Sequence, residues 1–257
     1  MKSHPMLISS FTFIFFIILF QTQGSAQTFT LGVKGGLRVP NLTSGDSGNP
    51  LNEGYSSRKG GDAALFVEYH MSDTFSMSAG FEYCAQGGKK NGMQAFEVPP
   101  EYAPFVPAGT KYLYADFKSE AKFDYFMFPV MARARVVLGD SPFSLYASVG
   151  PFVSMLMRAE QETRGASSIY LDEAGTQPLP AGTVSFDADN NIRSDLHRYN
   201  AGVTGFVGIE FSMRPYAVFI EGGGNYGFVP IQRGSEHGKN YTGAAVITMG
   251  CSYTFGD

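Results

Sequence analysis

Eight stretches of this chain alternate between large apolar side chains and small, hydroxylated or charged ones. The clearest is the last, Ala245 to Phe255, where Ile247, Met249, Cys251, Tyr253 and Phe255 share one parity and Thr248, Gly250, Ser252 and Thr254 the other. Period-two alternation predicts a β-strand with one apolar and one more polar face. The first stretch runs from Thr28 to about Val39, setting Phe29, Leu31, Val33 and Leu37 against Thr30, Lys34 and Arg38. Asp62–Met71 and Thr74 to about Gln86 follow, with Leu65, Val67, Phe75, Met77 and Phe81 against Phe66, Glu68, His70, Ser76 and Glu82. In Phe123–Val137, Phe126, Phe128, Val130 and Ala132 oppose Tyr125, Met127, Arg133 and Arg135. Pro142–Leu156, Tyr199–Met213 and Tyr216 to about Phe228 complete the set.

The connections alternate too. Ser72-Asp73, Gly139-Asp140-Ser141 and Arg214-Pro215 are tight turns, whereas long polar segments occupy about 40–61, 87–122, 157–198 and 229–241. An even number of strands with short turns at one end and long loops at the other predicts an all-β, eight-stranded antiparallel up-and-down transmembrane β-barrel. A soluble sandwich does not require strands this long with this turn asymmetry. A lipocalin-like barrel has the opposite polarity, since here the strand charges fall on the same side as Gly and Ser. The apolar side is therefore the outside.

The ends fit this reading. Lys2, an apolar run from Met6 to Phe20 and the small residues Gly24-Ser25-Ala26 predict a signal peptide over 1–26, leaving 27–257 as the barrel domain. The run is shorter than the ~20 residues a spanning helix needs. Only 16% of residues are charged, while 23 Phe and 14 Tyr are present without Trp, a balance suited to lipid-facing strands. A net charge of −4 argues against a nucleic-acid partner. The expected setting is a bacterial outer membrane, with lipid as the immediate partner, both termini in the periplasm and the long loops extracellular. The two cysteines, Cys84 facing in and Cys251 facing out, are expected to stay unpaired.

The alternation sends Lys34, Arg38, Arg133 and Arg135 into the lumen with Glu68, Glu82, Glu210 and Glu221. Eight strands enclose only enough space for side chains, and buried charges must be paired, so a structural ion-pair plug is expected. A proton or ion pathway is the functional alternative. Catalytic signals are weak: His70, His197 and His237 stand outside any known motif, and an outer-loop site around Asp195 and His197 is the nearest candidate. Asp187, Asp189 and Asn191 space oxygen ligands as a calcium loop does, but Ile192 occupies the place of its glycine and Arg198 that of its bidentate Glu. A solvated loop is the simpler reading, and no cofactor is expected. Tyr102 and Phe105, in the Pro-rich run Val98–Pro107, offer either a binding surface or a lid over the barrel mouth.

Several stretches resemble the PorT-type family of outer-membrane β-barrel proteins of Bacteroidetes-like bacteria. They are Gly32-Val33-Lys34-Gly35-Gly36-Leu37, Tyr125-Phe126-Met127-Phe128-Pro129-Val130, Gly150-Pro151-Phe152-Val153-Ser154, Gly208-Ile209-Glu210 and Phe219-Ile220-Glu221. The resemblance spans essentially the whole mature chain and implies an eight-stranded barrel with a periplasmic N-terminus. Gly222-Gly223-Gly224 departs from it, since bulkier or charged residues are expected there. Three roles follow as expectations. The first is a monomeric, non-enzymatic barrel with interaction or envelope-structural duties, whose loops meet envelope or secretion proteins. The second, carried by the family's namesake, is an accessory part in type IX protein secretion. The third is an outer-membrane lipid- or peptide-modifying enzyme or small-solute channel.

Overall fold

The structure is a computed structural model and describes residues 28–45, 48–234 and 238–256. The proposed signal segment and His237 lie outside these residues. The strands are β1 (Phe29–Ser44), β2 (Gly60–His70), β3 (Phe75–Glu97), β4 (Tyr112–Val137), β5 (Phe143–Arg164), β6 (Ala166–Tyr170), β7 (Pro178–Ser185), β8 (Ala188–Asn191), β9 (Tyr199–Met213), β10 (Tyr216–Gly227) and β11 (Asn240–Phe255). Eight of them, β1 to β5 and β9 to β11, pair antiparallel in a ring. The C-terminal strand closes it against the first, in register from Phe29↔Phe255 to Ser44↔Asn240. Closure leaves the ring without a free edge, which a strand in lipid requires.

Leu31, Val33, Leu65, Val67, Met77, Val130, Leu145, Val149, Val207, Ile220, Ile247 and Met249 stand exposed on the outer wall. Phe29 to Val39 spans this belt; at ~3.3 Å per residue and a tilt of ~40° it is about 25 Å tall, the height of a membrane-barrel apolar band. Aromatic rings border it. Phe29 meets Tyr69, Phe143 meets Phe211 and Tyr216 meets Tyr253 at the short-turn end, while Tyr226 meets Phe228 and Tyr241 at the other. Such girdles mark the two membrane–water interfaces.

The strands at the long-loop end correct the sequence reading. Segments 87–122 and 157–198 are not polar loops: β3, β4 and β5 run through them, and β4 alone has 26 residues, against the ~10 a membrane strand needs. The surplus builds a lobe in which β6 pairs with β4, β7 with β6 and β8 with the upper part of β5. Leu113, Ile169 and Leu179 form its core, with Phe96, Val98, Tyr102, Val106 and Phe186 packed around them. Cys84 is buried and Cys251 exposed, both free.

Candidate functional site

Ion pairs fill the lumen in three tiers. At the top, Arg38 Nε and Nη2 donate to Asp62 Oδ2 at 2.7 and 2.5 Å, Nη2 also reaches Glu82, and Nη1 donates to Asn225 Oδ1 at 2.7 Å. In the middle, Glu221 accepts from Lys34 Nζ (2.6 Å), the Tyr146 hydroxyl (2.8 Å) and the Thr248 hydroxyl (3.0 Å). Lys34 lies over the Phe206 ring at 4.2 Å and Arg133 over Tyr146 at 4.3 Å, so aromatic faces take up cation surface that no carboxylate covers. Lowest, Glu68 accepts from Arg133 Nη1 (2.7 Å) and the Ser76 hydroxyl (2.5 Å), and Arg135 donates to Glu210 at 3.0 Å.

All eight expected lumen residues thus meet one another, each base facing one of the expected acids. Asp62, also inward, joins the set. Sequence reasoning missed it because it opens its strand, although its even number places it in phase with Phe66, Glu68 and His70. Between the tiers lies a space of about 30 Å³ against Lys34, Phe66, Glu82, Arg133 and Glu221, room for roughly one or two waters.

Above the charges the lumen turns apolar. Cys84, Phe123, Tyr125, Met127, Phe152 and Leu156 point in from the wall, and the long connections lay Leu196 and Ile231 on them, with Tyr55 and Ile192 alongside. The sequence reading of the lumen has no such cap, although it places Cys84, Tyr125 and Met127 on the inward face. At the short-turn end the barrel instead opens into a polar vestibule of about 740 Å³, lined by Thr30, Glu68, His70, Arg135, Ser144 and Glu210 among others. There His70 Nδ1 lies 2.9 Å from Arg135 Nη2, and Nε2 lies 2.8 Å from the Thr30 hydroxyl. Arginine only donates, so Nδ1 is the acceptor and the ring proton sits on Nε2.

The remaining candidate residues are spread through the lobe and loops. Tyr102 is half-buried against the lobe core, whereas Phe105 is 67% exposed at the tip. Neither covers the barrel mouth, which the Tyr55–Leu196–Ile231 cap closes. Asp187 Oδ1 accepts the Gly165 N–H at 2.8 Å, Asp189 pairs with Arg164 at 2.6 Å and Asn191 Oδ1 accepts the Arg193 N–H at 3.1 Å. Among the described residues no cluster of three His, Cys, Asp or Glu has metal-holding geometry. His197 Nδ1 donates to Pro230 O at 2.8 Å and the Ser194 hydroxyl donates to Asp195 at 2.9 Å, so these three side chains form no relay with one another.

The model of the outer membrane protein beta-barrel domain family matches residues 21–233. The chain belongs to this family. Membership places this barrel in a bacterial outer membrane. Among solved structures, Neisserial surface protein A is similar at 14% identity, covering 88% of this chain and 97% of that one, with a TM-score of 0.40. Ail of Yersinia pestis is similar at 10% identity, with 88% and 98% covered and a TM-score of 0.35. OprG from Pseudomonas aeruginosa is similar at 11% identity, with 91% and 99% covered and a TM-score of 0.41. No curated protein matches the chain. The assignment of this outer-membrane barrel rests on the family match and on its own ring closure.

Proposed function

We infer that the protein is a non-enzymatic, closed barrel that carries a folded interaction lobe on the outer face of the outer membrane. The observation behind this reading is the way the lumen is filled. Three tiers of paired charge and an apolar cap of buried side chains occupy the lumen, which supports a barrel closed to solutes, while strand length is invested in the lobe. A transport barrel keeps its lumen wet instead. The long-loop end is taken as extracellular and both termini as periplasmic, because long loops of outer-membrane barrels lie outside. Phe105 and the half-buried Tyr102 give the lobe tip an aromatic surface held by prolines, which lowers the ordering cost of binding.

The test joins two measurements. Wild-type protein in planar bilayers is expected to pass no steady current. A variant with the lobe hairpin shortened from 88–121 to a two-residue turn is expected to insert normally yet lose proteins that co-purify with wild type from native outer membranes. Steady conductance, or an unchanged set of co-purifying proteins, refutes the reading. The narrower assignment to the PorT-type proteins rests on the motifs around Lys34, Phe126, Gly150, Glu210 and Glu221. Retention of normally exported proteins in the periplasm of a deletion strain would support it.

A further inference from the structure

Arg38, Arg58, Arg133, Arg135, Arg158 and Arg164 all hold carboxylates, and Arg214 has contacts of its own. Arg193, Arg198 and Arg233 make no ion pair among the described residues, and these three line one depression of about 460 Å³ together with Asn191 and Ser194. Three guanidinium groups gathered without an acid repel one another, a cost that an anion would remove. Asp195, next in sequence to Ser194, accepts that hydroxyl at 2.9 Å and does not line the depression. Glu236, three residues past Arg233, lies outside the described residues.

The depression is held in place by the backbone. Arg233 N donates to Asp195 O and His197 N to Ile231 O, both at 2.8 Å, which stitches the two connections together. Its height on the barrel is equally well defined. The Arg198 carbonyl accepts the Leu156 N–H at 2.8 Å, next to the Asp124 and Arg158 carboxylate–guanidinium pair where charge first appears on the outer wall. The Arg198 guanidinium lies 6.0 Å from the ring centre of Tyr199, which is exposed at the long-loop end of β9. The arginines therefore stand at the level of lipid head groups, just past the apolar belt.

We propose that Arg193, Arg198 and Arg233 form a site for the phosphate of a lipid head group in the leaflet at the long-loop end. Guanidinium forks match phosphate oxygens in paired, charge-assisted hydrogen bonds. The acyl chains of such a lipid would run down the wall past Tyr199, Val203 and Tyr226, all outward on β9 and β10. The proposal deepens the membrane-barrel reading and rests on it.

The test uses the full barrel in dodecylmaltoside micelles with three probes: a diphosphorylated glucosamine lipid, the same lipid dephosphorylated, and inorganic phosphate. Native mass spectrometry reads bound lipid. The wild type is expected to bind the phosphorylated lipid at least ten-fold more tightly than an R193Q/R198Q/R233Q variant, and to bind the dephosphorylated lipid no better than that variant. Millimolar inorganic phosphate is expected to displace little of it. Equal binding by wild type and variant overturns the proposal, as does displacement by inorganic phosphate as effective as by the lipid, which marks a free-anion site. Heat-dependent gel mobility checks the fold; should the triple variant misfold, R193Q and R233Q carry the same comparison singly. Failure of the wild type to insert into vesicles would instead overturn the membrane-barrel reading.

Discussion

Replacing Arg38 with Met isolates the energetic role of the upper charge tier. The Arg38 side chain has no exposed surface and holds Asp62, Glu82 and Asn225 together. Removing it leaves two buried carboxylates side by side without a cation. Breaking a buried pair in this way costs about 3–5 kcal/mol, most of it from the stranded acids rather than the lost attraction. Neutralising both in an R38M/D62N/E82Q variant should therefore recover at least half of the loss. Arg164, paired at 2.6 Å with Asp189, is the comparison, because the two side chains are 49% and 67% exposed. An exposed pair contributes about 0–1 kcal/mol, so R164M should be nearly silent.

Urea unfolding of barrels refolded into vesicles, followed by circular dichroism because the chain has no Trp, measures all four proteins. The expected order of stability is wild type close to R164M, then the triple variant, then R38M. If R38M costs no more than R164M, the lumen charges are solvated and the plug argument fails. A triple variant no better than R38M would show that shape, not stranded charge, sets the cost.

Three further outcomes follow from the packing. A Cβ on Gly36 would run into the Ile247 carbonyl and Thr248 Cα of the closing strand, whereas one on Gly222 meets open space; Gly36→Ala should lower stability by about 1–3 kcal/mol in the same urea assay and Gly222→Ala by less than half that. Leu156, fully buried in the cap, should cost about 2–4 kcal/mol when changed to Ala, and a smaller loss in urea would show the cap to be loosely packed. Lys90, above the belt, donates to Leu51 O at 2.7 Å beneath the Tyr55 ring, and burial lowers its pKa to about 8. The folded value is below the unfolded one, so the penalty is full below pH 8 and relieved as pH rises toward ~10.4. Carbon-13 spectra of labelled lysines should show one signal titrating near pH 8, lost in Lys90→Met, and thermal stability should rise across that window.

The barrel was legible because lipid imposes one rule on every strand: each outward position from Phe29 to Val39 or from Tyr199 to Met213 must be apolar or small. The lumen pairs were legible for the same reason, since fixing one parity fixes the other. The lobe was not. On β3, Cys84, Ala85, Gln86, Gly87 and Gly88 are buried in succession because loop residues cover both faces, which erases the alternation. On β5, the register shift opposite Asp124 and Tyr125 leaves Met157 and Arg158 both exposed, and the inward parity moves from even to odd at Ala159. A reader following strict alternation stops at Leu156. The Gly222–Gly224 run was likewise illegible in part: Gly223 makes room for the Phe206 ring, a contact between strands that spacing does not show.

On β4 the alternation never stops, and its chemistry locates the membrane edge. Phe123, Tyr125 and Met127 continue the buried odd positions of Leu113, Ala115, Phe117, Ser119 and Ala121 without a shift of phase. What changes is the other face. Below Asp124 it reads Phe126, Phe128, Val130, Ala132; above, it reads Lys122, Glu120, Lys118, Asp116. A single strand thus carries an inside-out polarity in its lower half and that of a soluble sheet in its upper half. Only a change of solvent along its length accounts for both, because a continuous backbone offers no other reason to exchange lipid-seeking for water-seeking residues at one position. The charges that look like loop signals are the strand leaving lipid, and the Arg158, Asp124 and Arg198 groups gathered on the β4–β5–β9 side at that height stand where head groups begin.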